Sequence, residues 1–388
     1  MTPREQTANM KIVFALTLVH FTGDFYSSFF TPLIPAFVDK LSLSLAQVGI
    51  VTGLARFLAF IVQPTVGYIA DRYPTRKFAL GGLLLTVVFI PLSGLAPSFL
   101  LLLVLLALGS IGSSMFHPSV TGLIPVYGGR RAGFSMSIFN TGGTLAFGVG
   151  PLFITLYVQH FGLGAMPATM LIGLAVLGFL YRIIPAPRSE GLQYAGFIGS
   201  LKDTLGPVWR PIALIWLVMV LRSLVGQSFL TFMPVLLAGK GFSLVSVGWM
   251  VSLFVVAGTA SGLAAGALSD RYGYKPVFYG SHVLMTPALL LFLQLSGNWV
   301  FAGAFLAGMT VLASLPVGVV MAQDLAPRGR SMVASLMMGF AYGLGGAFSP
   351  LIGKLADLYS IETVLFWVAL VPLLTLVLIR FFPGRSET

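Results

Sequence analysis

Asp24 stands near the middle of an apolar stretch that runs from Ile12 to Val38, and His20 lies one helical turn before it. Lys11 precedes the stretch and Asp39-Lys40 follow it, so its length suits one bilayer crossing. An ionisable side chain at that depth costs about 2.5–3.5 kcal/mol on insertion scales, and residues of this kind mark ion and proton pathways. Positions i and i+4 share a helix face, so this carboxyl and imidazole can share a proton near physiological pH. The pair reads as chemistry for moving protons or ions across a membrane.

Three more polar side chains fall within apolar stretches. The planar guanidinium of Arg222 can clamp a small anion through paired hydrogen bonds, or pair with Asp24 when no substrate is present. Arg56 either assists that anion site or reaches along its own helix toward the outer surface. His117 precedes Pro118, whose missing N–H frees a carbonyl. A helix break there would line a cavity, with His117 as a substrate-facing residue. His160 and His282 are read as structural or interfacial. Four histidines on different stretches assemble neither a Ser-His-Asp set nor a metal-ligand spacing, so no enzyme, metal site or cofactor is expected.

The elements that position these residues follow from composition. Hydrophobic residues make up 57% and charged residues 9% of the 388, against about 25% charged in soluble domains. Mean hydropathy is +0.96. Seventeen of the 22 Lys and Arg sit at the termini or at alternate breaks between apolar stretches, while the opposite breaks hold only Lys40 and Lys240. That asymmetry is the positive-inside rule, and it predicts a multi-pass protein of the cytoplasmic membrane with both termini inside. The net charge of +11 therefore reports topology and not a nucleic-acid surface. With no cysteine there is no disulfide and no thiolate chemistry. The N-terminus reads as an uncleaved first helix and not as a removed signal peptide.

Twelve apolar stretches are predicted as helices: 11–38, 46–70, 78–96, 98–124, 132–158, 164–184, 211–237, 245–269, 276–295, 298–322, 331–357 and 361–382. The longest polar break, 185–210, reads as a linker between halves 1–184 and 211–388. Beyond it the chain repeats at an offset of 199: Val48-Gly49 with Val247-Gly248, Asp71-Arg72-Tyr73 with Asp270-Arg271-Tyr272, Arg131 with Arg330, and Pro151-Leu152 with Pro350-Leu351. Two parallel six-helix bundles follow, an all-α membrane architecture like that of the major facilitator superfamily.

The loops support that resemblance. The run from Gly67 to Lys77, with Asp71-Arg72, resembles that superfamily's Gly-x-x-x-Asp-Arg-x-Gly-Arg-Lys loop, with Pro74 where Gly is usual. The run from Gly266 to Lys275 repeats it with Asp270-Arg271. The resemblance implies gating roles for Asp71, Arg72, Asp270 and Arg271, with Arg131 and Arg330 alongside. Asp324, near Arg328 and Arg330, reads as a salt-bridge latch. Gly142, Gly143, Gly150 and Pro151 resemble the glycine-rich antiporter motif, without its trailing Gly-Gly; small residues there permit close helix approach.

Four stretches narrow the resemblance to the fosmidomycin-resistance family of bacterial efflux transporters. They are His20-Phe-Thr-Gly-Asp24, Gly112-Ser-Ser-Met-Phe-His117-Pro118, Ser137-Ile-Phe-Asn-Thr-Gly-Gly143 and Gly339-Phe-Ala-Tyr-Gly-Leu-Gly345-Gly346. The family implies export of a small phosphonate drug in exchange for protons at the inner membrane. The expected partners are a small-molecule substrate, protons and the bilayer, for a monomer driven by the proton gradient. A proton-coupled importer of a small organic anion is the alternative, and an intramembrane sensor or enzyme is the rival from another class.

Overall fold

Backbone polar groups within a bilayer can bond only to one another, so apolar stretches of this length fold as helices. The computed structural model describes residues 8–70, 75–185, 206–326, 333 and 336–383. Among these, twelve segments are long and apolar enough to cross a membrane, from Met10–Leu41 to Ile361–Ile379. They coincide with the twelve predicted stretches, with ends displaced by a few residues. Asp71, Arg72 and Arg330 lie outside the described residues, as do Arg328 and the linker between 186 and 205.

The first crossing is not one helix, as the sequence had suggested, but two: α1 (Met10–Ser27) and α2 (Phe30–Leu41). Pro32 accounts for the break, because it has no N–H for the Ser28 carbonyl and is best accommodated in a first helical turn. The repeat supplies an internal control. Position 231, the counterpart of Pro32, is Thr, and only Pro234 remains. There the seventh crossing runs unbroken. The intervening helices are α3 (Leu45–Ala70), α4 (Thr75–Leu92), α5 (Phe99–Gly128), α6 (Ala132–Phe161) and α7 (Met170–Ile183), and the seventh crossing is α8 (Trp209–Gly239). After it come α9 (Leu244–Tyr272), α10 (Tyr274–Gln294) and α11 (Trp299–Leu325). The eleventh crossing contains a π-helical turn (Leu336–Phe340), α12 (Ala341–Ala347) and α13 (Ser349–Leu358), and α14 (Ile361–Ile379) completes the set.

The chain forms two compact units: Met1–Leu43 with Ile61–Leu192 and Ser243–Gly248, and Ser44–Phe60 with Gln193–Phe242 and Trp249–Thr388. Each unit includes the start of one helix from the other sequence repeat. In the second unit the backbone N–H groups of Leu45 and Ala46 donate to the two carboxylate oxygens of Asp357 at 2.8 and 2.9 Å. Asp357 thereby satisfies the free donors at the start of α3. A Cβ on Gly49 would lie 2.2 Å from the Ser349 carbonyl oxygen; in the first unit one on Gly248 would lie 2.9 Å from the Pro151 carbonyl oxygen. Gly49, Pro350, Gly248 and Pro151, among the residues that define the repeat, are contact points.

The repeat also fixes helix ends. Arg76 donates to the Tyr181 carbonyl, and Lys275 donates to the Arg380 carbonyl at 2.6 Å. Donors and acceptors are each 199 residues apart. In both units a basic side chain thus occupies the C-terminal end of a helix, where free carbonyls and the dipole favour a cation. Within the first unit α4 and α5 touch backbone to backbone, since a Cβ on Gly82 would meet the Gly112 carbonyl oxygen at 2.6 Å.

Candidate functional site

The first unit gathers three ionisable side chains. Asp24 and His20 lie on α1, one turn apart, and His117 reaches them from α5. His20 Nε2 is 3.1 Å from Asp24 Oδ2, and His117 Nε2 is 3.0 Å from Asp24 Oδ1. Asp24 is 3% exposed and His20 9%, whereas the His117 side chain retains 29% of its surface. The two imidazole rings meet edge to face with centroids 5.2 Å apart, and His20 stacks on Phe139 of α6.

The other ring nitrogen decides what these contacts can carry. His20 Nδ1 lies 2.9 Å from the Phe139 carbonyl oxygen, and His117 Nδ1 lies 2.7 Å from that of Ser113. A carbonyl only accepts, so each Nδ1 carries the hydrogen. A neutral ring then presents a lone pair at Nε2 to the carboxylate. Such a contact is attractive only when a proton occupies it, on the imidazole or on the carboxyl. One carboxyl and two rings therefore form two contacts, each able to hold a proton.

Sequence reasoning placed His117 with the substrate residues and expected Pro118 to break its helix. The helix does not break: α5 continues through Pro118 to Gly128, and His117 lies against Asp24 with part of its side chain still accessible. His20, Asp24 and His117, which no metal-ligand spacing in the sequence connects, offer ligand atoms within 4.8 Å of one another. His117 is far from Asp24 in sequence, so spacing alone carried no sign of their meeting.

The glycines of α6 shape this site. A Cβ at Gly143 would fall 2.5 Å from His20 Cε1, 2.7 Å from Nε2 and 2.9 Å from Asp24 Oδ2. Gly142 faces Thr17 and Gly150 faces Ser28 at similarly short range, so α6 lies close against α1. Pro151 continues α6, and its carbonyl accepts from Thr155 Oγ1 at 2.8 Å.

The second unit holds the cationic residues. Arg222 on α8 is 2% exposed and donates from Nη1 to the Val311 carbonyl at 2.9 Å. Its Nε has no hydrogen-bond partner among the described residues. Tyr342 and His282 are its electrostatic neighbours. Tyr342 also lies beneath Arg56, whose guanidinium is 4.9 Å from the ring centroid, a cation–π distance. The alkyl stem of Arg56 passes Gly346, where a Cβ would come within 2.6 Å. Tyr342, which links Arg222 and Arg56, was missed by sequence reasoning although it stands within Gly339–Gly346. A neutral hydroxyl in an apolar stretch attracts less notice than a charge.

His282 is fully buried, with Nδ1 2.9 Å from the Phe278 carbonyl oxygen and Nε2 without a partner among the described residues. His160 is exposed near the end of α6. Asp270 and Arg271 are exposed at the end of α9, and Arg131 is exposed where α6 begins. Asp324 accepts a hydrogen bond from the Tyr274 hydroxyl.

Comparison with known proteins places this geometry. The sequence profile of the Major Facilitator Superfamily matches residues 16–247 and 215–388. The chain is 28% identical to the fosmidomycin resistance protein of Escherichia coli (strain K12), covering 97% of this chain and 93% of that one. It is 23% identical to the quinolone resistance protein NorA of Staphylococcus aureus, covering 82% and 81% respectively. In structure it is similar to a bacterial homolog of the lysosomal transporter Spinster, with a TM-score of 0.82 at 15% identity over 98% of this chain and 97% of that one. A variant of the nucleoside transporter NupG gives 0.83 at 14% identity over 96% and 100%. At these identities the structural likeness speaks for the fold.

Proposed function

This chain belongs to the major facilitator superfamily of transporters, and from its two polar sites we propose that it exports a small organic anion in exchange for protons. His20, Asp24 and His117 take up and release the protons. Arg222, with Tyr342 and Arg56, holds the anion. The observation that carries the proposal is the pair of Nε2–carboxylate contacts whose rings have already committed Nδ1–H to backbone carbonyls. Those contacts tighten or loosen with their proton content, as a coupling site requires.

The anion reading rests on Arg222, a buried guanidinium with an unpartnered Nε and no carboxylate within ion-pair distance among the described residues. A buried cation in that position favours an anionic ligand, and a guanidinium fork matches carboxylate or phosphonate oxygens. Similarity to a fosmidomycin resistance protein makes a phosphonate of that kind the first compound to test. In this reading the protein is a monomer of the cytoplasmic membrane with both termini inside. It works by alternating access, with Asp71, Arg72, Asp270, Arg271, Asp324, Arg131 and Arg330 at its cytoplasmic gate.

The test is uptake of labelled fosmidomycin into proteoliposomes with an imposed pH difference. Exchange predicts accumulation in vesicles with an acidic lumen. Accumulation with an alkaline lumen instead would mean cotransport, and indifference to pH would remove the proton from the mechanism.

A further inference from the structure

Two imidazole nitrogens and one carboxylate converge in the first unit from two helices, and they also make a metal-binding constellation. One ligand atom from each of His20, Asp24 and His117 lies within 4.8 Å of the others, and the two Nε2–oxygen distances are 3.1 and 3.0 Å. Metal–ligand bonds of about 2.0–2.2 Å at tetrahedral angles place ligand atoms roughly 3.3–3.5 Å apart. Each Nε2–oxygen separation, one to either carboxylate oxygen, lies within tenths of an ångström of that spacing, while the full set, spread over up to 4.8 Å, must draw in around the ion. Both rings already donate Nδ1–H to backbone carbonyls of Phe139 and Ser113. Histidines that bind metals make this outer bond almost without exception, because it fixes the tautomer and aims Nε2 at the ion.

The surroundings fit an ion as well. Gly143 meets this pair with backbone alone, since a Cβ there would lie 2.5–2.9 Å from His20 Cε1 and Nε2 and Asp24 Oδ2. His20 and Asp24 are buried, while the His117 side chain keeps 29% of its surface, so an ion can arrive from the His117 side and keep a water there as fourth ligand. The donor set selects among metals. Two imidazoles with one carboxylate suit zinc, nickel or cobalt, whereas calcium and magnesium require mostly oxygen ligands.

We infer that His20, Asp24 and His117 bind one divalent transition-metal ion of the zinc class, which clips α1 to α5. The inference uses the residues assigned above to protons but does not depend on transport, and the two can fail separately. Metal binding is measured without any gradient, and proton-coupled uptake is measured in chelator.

The probe is Co2+, titrated into the full chain in lipid nanodiscs after removal of any polyhistidine tag. A His160→Ala background removes the exposed histidine. One equivalent should bind with the visible absorption of a four- or five-coordinate ion. Zn2+ should displace it, and Mg2+ should not. His117→Gln and Asp24→Asn should each weaken binding by at least about tenfold. Gly143→Ala, which keeps all three ligating residues but presses its Cβ against His20 and Asp24, should also weaken it. Helicity and elution as a single species confirm that each variant is folded. No binding by the folded parent at millimolar Co2+, or unchanged binding in both His117→Gln and Asp24→Asn, would overturn the inference.

Discussion

Asp24→Asn preserves the size of the side chain but removes its ability to take up or release a proton. An amide at this position can donate to one Nε2 lone pair, and its single oxygen can accept from the other ring only if that ring is protonated. The variant should therefore separate substrate movement from proton movement. The structure sets the scale, because it offers two proton-holding contacts on one carboxyl. Each proton exchanged across one pH unit is worth about 1.36 kcal/mol, or about tenfold in the substrate gradient. With membrane potential clamped, the ceiling at a difference of one pH unit is thus about tenfold if one contact cycles and about a hundredfold if both do. The assay is steady-state accumulation of labelled fosmidomycin in proteoliposomes held in chelator. In Asp24→Asn the inside-to-outside ratio should fall to unity at every imposed pH difference, while exchange between equal pools of substrate continues. His117→Gln, which removes one of the two contacts, should lower the ceiling by one factor of about ten if both normally cycle. Wild-type accumulation by Asp24→Asn would refute the reasoning, since the proton would then travel by another route.

Three other expectations follow from different parts of the molecule. Arg222→Lys keeps the charge but loses the planar fork, so substrate affinity measured by tracer binding should fall by about 1.5–3 kcal/mol; full affinity in the Lys variant would reduce Arg222 to a generic positive charge. A Cβ at Gly308 would lie 2.0 Å from the Phe254 carbonyl oxygen, which belongs to backbone and cannot rotate away. Gly308→Ala should therefore destabilise the second unit by about 1–3 kcal/mol in thermal unfolding, whereas alanine at Gly266, with nothing within 4 Å, should be neutral. Arg76→Gln and Lys275→Gln should each cost about 0.3–1 kcal/mol, and by similar amounts, because they remove equivalent contacts at equivalent helix ends.

The number of crossings, their approximate limits and the internal repeat were legible in the sequence because insertion is governed locally. A stretch of about 20 apolar residues becomes a helix in lipid whatever its neighbours do. The polar residues worth attention were legible for the same reason, since an uncompensated charge at membrane depth is expensive wherever it falls. His20 and Asp24 could even be paired, because their contact lies within one helix. The break between α1 and α2 could have been inferred from Pro32, given that its counterpart is Thr231.

Only the tertiary structure brought His117 to Asp24, set Tyr342 between Arg222 and Arg56, and joined the start of α3 to Asp357. Each of these meetings depends on how far a helix is rotated about its axis and how closely it approaches the next. Those quantities are fixed by small residues in backbone contact, Gly82 against Gly112 and Gly143 against His20 among them. Hydropathy is nearly indifferent to rotation inside a bundle, because lipid and protein interior are similarly apolar. The sequence therefore determined which groups lie within the membrane, and helix packing decided which of them meet.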